Sequence, residues 1–149
     1  MIEFQTPHYE RLIVMFAQKV LTQNHWDTDR AMDLINTEPY RLPEPQLLTE
    51  EDGYLEERIV DFPDFSSERI WMDENISRKF QCEGRYHLII CVKGKLRLES
   101  KSGSIFELLA EEAVFLPAST SFYRVTNSDA DSMIFLRAVP VKAQSIKRD

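Results

Sequence analysis

From Tyr54 onward the chain breaks into short runs of alternating apolar and polar residues, each closed by a turn signal. The runs fall at 56–62, 67–73, 86–93, 95–100, 104–109, 113–117, 121–126 and 132–138. Between them stand Pro63-Asp64, Asp73-Glu74-Asn75, Gly94, Ser102-Gly103 and Asn127-Ser128-Asp129. Alternation with a period of two puts every second side chain on one face of a strand. Short strands at such close spacing leave no room for crossover helices. They predict an antiparallel sandwich or jelly roll rather than a parallel sheet.

The part before Tyr54 reads differently. Ile2 and Phe4 alternate with polar neighbours until Pro7 breaks the run. Leu12, Ile13, Phe16, Val20 and Leu21 fit a helical stripe, while the β-branched content leaves a strand open. Asp27-Thr28 reads as a helix start, with Ala31, Met32, Leu34 and Ile35 at helical spacing and Glu38-Pro39 as the stop. Pro39, Pro43, Pro45 and Gly53 give residues 37–53 the composition of an extended loop or linker. The expected organisation is an N-terminal extension and linker over 1–53, a barrel over 54–141 and a polar tail over 142–149.

A length of 149 residues suits one domain with an extension, enough to bury a core without disulfide support. The formal charge of −7 argues against a nucleic-acid partner, which needs a basic footprint. The longest apolar runs, Leu12–Ala17 and Leu88–Val92, are too short to span a bilayer. Glu3 stands where a signal peptide would be basic. Cys82 and Cys91 suit a reduced cytoplasm and are not spaced as a zinc site. A cytoplasmic location without a membrane partner is the expectation.

The order Tyr86-His-Leu-Ile-Ile-Cys-Val-Lys-Gly-Lys-Leu-Arg-Leu98, then Ala113-Val-Phe-Leu-Pro117, then Ser121-Phe-Tyr-Arg-Val-Thr126 resembles the two motifs of the cupin family. The resemblance implies a mainly β fold, a cupin-type jelly-roll barrel behind a short strand or helix extension. In metal-binding cupins these motifs carry two paired histidines, a glutamate and a further histidine. Counted from Gly94, His87 falls on the glutamate, and the paired histidines fall on Gln81 and Glu83 or on Phe80 and Cys82. Counted from Pro117, Phe122 falls on the last histidine. The metal site the motifs would carry is therefore missing, and no metal or cofactor is expected.

The N-terminal third narrows the resemblance. Glu3-Phe-Gln-Thr-Pro-His-Tyr-Glu-Arg11 resembles the Glu-x-Gln…Tyr-Arg segment that follows the last zinc-ligand strand of type I mannose-6-phosphate isomerases. The stretch Leu21–Ile35 resembles their Leu-Thr-Pro-Lys…Asp segment, with Asn24 in place of the lysine. Thr37-Glu-Pro-Tyr40 matches the link to their C-terminal cupin, and Ala113–Ala118 lies in the part similar to that cupin. This implies the C-terminal portion of such an enzyme. The family's zinc ligands lie upstream of anything matching Glu3, so the chain would be non-catalytic or partial, and Arg11 is the one residue at a catalytic family position.

Two readings of function follow. One is a non-catalytic or partial cupin domain related to that isomerase. The other is a stand-alone cupin module that binds a sugar or small anionic ligand. An apolar, crowded barrel favours the first; an open pocket favours the second. His87 is expected to face the barrel, as a satisfied core histidine or as a ligand contact. Arg124 shares a face with Phe122; if that face lines the barrel, Arg124 and Arg97 offer forked donors to an anion, and otherwise they form surface ion pairs. His8 and His25 read as surface or loop histidines. In the isomerases that the chain resembles, the segment matching 1–26 packs on the catalytic barrel. Without that barrel Ile2, Phe4, Leu12, Ile13, Phe16, Val20, Leu21 and Trp26 would be partly uncovered, which predicts a contact surface closed by a homodimer through residues 1–26. The alternative is a monomer in which the segment folds back on its own barrel.

Overall fold

A computed structural model describes residues 28–35, 37, 38 and 43–141. The chain divides into two compact units at Leu42–Pro43. In the first unit the described element is helix α1 (Thr28–Leu34), and the Ile35 N–H donates to the Ala31 carbonyl at 2.9 Å. It lies where the spacing predicts a helix. Arg11, His8, His25, the segment 1–26 with its expected pairing role and the tail 142–149 lie outside the described residues. Among the described residues, no helix is long and apolar enough to cross a membrane.

The second unit is built from strands β1 (Gln46–Glu51), β2 (Tyr54–Asp61), β3 (Phe65–Met72), β4 (Ser77–Gln81), β5 (His87–Lys93), β6 (Lys95–Ser100), β7 (Ile105–Leu109), β8 (Ala113–Leu116), β9 (Phe122–Asn127) and β10 (Met133–Pro140). All pair antiparallel. One sheet has six strands in the order β1-β2-β3-β10-β5-β8, and the other has four in the order β4-β9-β6-β7. This is the predicted jelly roll, with each of the runs read from the sequence present as a strand.

Two further strands join them. The expected linker over 37–53 contains β1, so the barrel unit begins at Pro43 and not at Tyr54. Gln-Leu-Leu-Thr-Glu-Glu shows no alternation, and the strand exists because Asp52-Gly53 closes a two-residue hairpin that pairs Glu51 with Tyr54. Gly53 takes φ +69°, and a Cβ there would stand 3.2 Å from the Asp73 Cβ. β4 has Phe80 as its one apolar residue. Cross-strand pairing of Phe80 with Tyr123 of β9, rather than its own pattern, holds it in the sheet.

The sheets close on a core of Ile70, Met72, Ile89, Cys91, Met133 and Phe135 from one side and Phe80, Leu96, Leu98, Leu108, Tyr123 and Val125 from the other. Burying each such side chain stabilises the fold by about 1.5–3 kcal/mol. The inward positions of the six-stranded sheet change character along the strands. Toward one end they read Tyr54, Ile70, Met72, Met133, Phe135 and Cys91. Toward the other they read Glu56 and Arg58 on β2, Ser66 and Glu68 on β3, His87 on β5 and Arg137 on β10. Apolar packing seals the first end, and charge holds the second open.

Candidate functional site

Strand register builds the polar end. Arg58 and Arg137 stand directly across from Glu68 on its two sides, giving a positive–negative–positive row across three strands. Arg137 contacts Glu56 at 2.7 Å and Glu68 at 3.3 Å, and Arg58 comes within 3.8 Å of Glu68. Ser66 donates to Glu68 at 3.1 Å. Tyr54 donates to the other member, Glu56, at 2.7 Å. The side chains of Arg137, Glu56 and Glu68 are only 15%, 13% and 4% exposed, so this is a buried network and not a surface pair. Burial alone would disfavour the Arg137 charge, but Tyr123, Glu68 and Glu56 more than offset it.

Arg137 also stands over the Phe80 ring, 4.7 Å from its centroid, and Phe80 stacks on Tyr123 at 5.4 Å. Tyr123 is fully buried and meets His87 Nδ1 through its hydroxyl at 2.8 Å. Burial pushes its phenol well up, so it stays protonated. The positive Arg137 guanidinium beside the phenol favours its oxygen as acceptor and its O–H as donor to His87 Nδ1. Neutral imidazole carries one proton; with Nδ1 assigned as the acceptor, that proton is placed on Nε2. Burial, reinforced by the positive charges of Arg137 and Arg85, lowers the His87 pKa to about 4. The ring is neutral near pH 7.

These residues surround a cavity of about 350 Å³, lined from β1 through β4 and by Glu83, Arg85, His87, Arg137 and Val139. Among the described residues, five buried side-chain N or O atoms lack a hydrogen-bond partner, and three of them, Arg58 Nε, Arg85 Nε and His87 Nε2, belong to residues lining this cavity. Buried donors are normally satisfied, and leaving one unpaired costs about 1–3 kcal/mol. Three of the five belong to side chains of one lining, which makes this cavity the place where the barrel's polar groups are least satisfied.

His87 therefore lies where the sequence puts it, inward and 2% exposed. Arg97 and Arg124 do not join it. Both are exposed on the outer face of the four-stranded sheet, Arg97 across from Thr126 and Arg124 across from Glu99, so the face they share does not line the barrel. The motif count is off by one at β9. A short 3-10 turn (Ala118–Thr120) and Ser121 at φ +63° precede the strand, and they leave Tyr123, not Phe122, facing inward. Glu56, Arg58, Glu68, Arg85 and Arg137 escape a motif search. Their signal was charge at inward positions, clearest in Met133-x-Phe135-x-Arg137-x-Val139.

A metal does not fit the positions where cupin ligands stand. Phe80 and Tyr123 fill them with stacked rings, the Arg137 charge lies beside them, and the His87 Nδ1 edge is occupied. Among the described residues, no group of three or more His, Cys, Asp or Glu is arranged to hold an ion.

No protein-family model matches the sequence. No curated protein matches it either. Solved structures do. KdgF from Halomonas sp. superposes with a TM-score of 0.55 over 66% of this chain and 88% of that one, at 17% identity. An RmlC-like cupin from Shewanella frigidimarina gives 0.54 over 65% and 84%, at 13% identity. The polyketide cyclase RemF from Streptomyces resistomycificus gives 0.53 over 65% and 72%, at 18% identity. At such identities the likeness shows the fold, and the fold is a cupin-type jelly roll.

Proposed function

We propose that this chain is a cupin-fold binding module whose polar barrel end holds a small, oxygen-rich ligand, a sugar or small anionic molecule. The observation that carries the reading is a polar cavity lined by Arg58, Arg85 and His87, each with a buried side-chain nitrogen that lacks a hydrogen-bond partner. Its volume of about 350 Å³ falls in the range of small-molecule sites. The Glu68–Arg137–Tyr123–His87 chain fixes the His87 ring before any ligand arrives, so binding costs little ordering.

Descent from the C-terminal cupin of type I mannose-6-phosphate isomerases is part of the same proposal. It rests on the sequence segments 3–11, 21–35, 37–40 and 113–118. In that lineage the site serves recognition and performs no zinc chemistry.

Saturation-transfer NMR on the full chain tests the reading, with hexoses, their 6-phosphates and tartrate as probes. At least one probe is expected to receive saturation, and Arg85→Gln is expected to weaken that probe's binding about tenfold or more, the loss of a charged hydrogen bond. Arg85 is a rim residue, so the variant keeps the fold. No transfer to any probe, or transfer indifferent to Arg85→Gln and to His87→Phe alike, overturns the reading.

A further inference from the structure

We infer that this cavity selects a neutral polyhydroxyl ligand over a phosphorylated or carboxylated one. The inference rests on the reading of the polar end as a ligand site. It follows from how the guanidiniums there are already paired.

Three guanidiniums line the cavity, Arg58, Arg85 and Arg137, and three carboxylates line it with them, Glu56, Glu68 and Glu83. Each guanidinium has a carboxylate of its own chain. Arg137 holds Glu56 and Glu68, Arg85 meets Glu83 at 3.1 Å, and Arg58 lies 3.8 Å from both Glu68 and Asp61. Lys79 adds a fourth cation to the lining, but its ammonium stands over the Phe122 ring, 3.8 Å from the centroid, and Phe122 does not line the cavity. His87 contributes no charge near neutral pH. An entering phosphate would find each guanidinium already paired and would have Lys79 as its one lining cation without a carboxylate partner, and it would bring two negative charges beside three carboxylates.

What the cavity lacks is hydrogen-bond partners, not charge. Arg58 Nε, Arg85 Nε and His87 Nε2 need acceptors. The carboxylates, once their Arg contacts are made, keep lone pairs that need donors. A hydroxyl is both acceptor and donor, and adjacent hydroxyls on one carbon chain can bridge an arginine and its own glutamate together. Leu48 and Val139 supply apolar wall for the C–H face of such a ligand.

Glu83 decides the sign. It is exposed, takes φ +51° beside Gly84, and sits at the rim on Arg85, so its replacement leaves the core alone. For an anionic ligand, Glu83 competes for Arg85, and Glu83→Gln tightens binding. For a polyol, Glu83 accepts a ligand hydroxyl, and Glu83→Gln loosens it.

The test is a chemical-shift titration of the full chain and of Glu83→Gln with mannose, glucose and galactose, with their 6-phosphates, and with gluconate. The expected result is that a neutral hexose binds about tenfold tighter than its own 6-phosphate and than gluconate, and that Glu83→Gln weakens that hexose about fivefold. Hexose affinity is also expected to hold steady between about 20 and about 300 mM NaCl, where an ion pair at the rim would be screened. Tighter binding of a 6-phosphate or of gluconate, or a gain of affinity in Glu83→Gln, overturns the inference and leaves the site standing. Binding of none of these ligands overturns both.

Discussion

Replacing Arg137 by alanine is expected to lower the unfolding free energy by about 3–5 kcal/mol, the cost of leaving buried charges without their partner. Glu68, 4% exposed, and Glu56, 13% exposed, both depend on this guanidinium. Tyr123 loses its charged neighbour, and the Phe80 ring loses the cation above it. Arg69 gives the comparison: it also pairs with a glutamate, Glu57, but on the exposed face, and Arg69→Ala is expected to cost no more than about 1 kcal/mol. Urea unfolding followed by circular dichroism measures both. A second variant separates charge from packing. Arg137→Met combined with Glu56→Gln and Glu68→Gln removes the stranded charges and is expected to recover part of the loss. An Arg137→Ala effect no larger than that of Arg69→Ala would show that the polar end is a solvated surface and not a buried network.

Acid is expected to destabilise the protein through His87. Its folded pKa of about 4 lies below the unfolded value of 6.5, so the unfolded chain takes up the proton first. The stability this neutral ring contributes is complete above pH 6.5 and falls away as the pH drops toward the folded value. The full difference corresponds to about 3 kcal/mol, of which about 2–3 kcal/mol is gone by pH ~4.5. Tyr123, Arg137 and Arg85 face the ring, and Tyr123 and Arg137 keep their protons throughout this interval. Carboxylates titrate there too, so the measurement is a difference. The stability gap between the chain and His87→Gln, taken at pH 7 and near pH 4.5, is expected to shift by that amount against the native chain. A gap that stays constant would mean that His87 titrates normally and is not enclosed.

The barrel was legible because its strands alternate. Tyr54-x-Glu56-x-Arg58 and His87-x-Ile89-x-Cys91 show the inner face by their spacing, and Gly94 marks the tight turn between β5 and β6. β1 and β4 were not legible, since a Pro-rich approach and a single phenylalanine hide strands that tertiary pairing creates. At the site, one residue of the network was visible, His87, because a family motif passes through it. The others are ordinary charged residues until strand register sets Arg58, Glu68 and Arg137 in one row. Arg97 and Arg124 looked equally promising in sequence. Period two assigns residues to a common face but does not say which face is inside, and Ser121 shifted the phase at β9.

The proposed ligand site depends on a neutral His87 with its proton on Nε2. Long-range ¹H–¹⁵N correlation spectra of the histidine side chains, recorded from pH 8 down to pH 4.5, test it most directly. His87 is expected to be the Nε2–H tautomer at pH 7, to remain predominantly neutral down to pH 4.5, and to show a shifted Nε2 resonance when a bound sugar accepts the hydrogen bond. A ring protonated on Nδ1, or one that titrates near 6.5 with no response of Nε2 to any ligand, would contradict it.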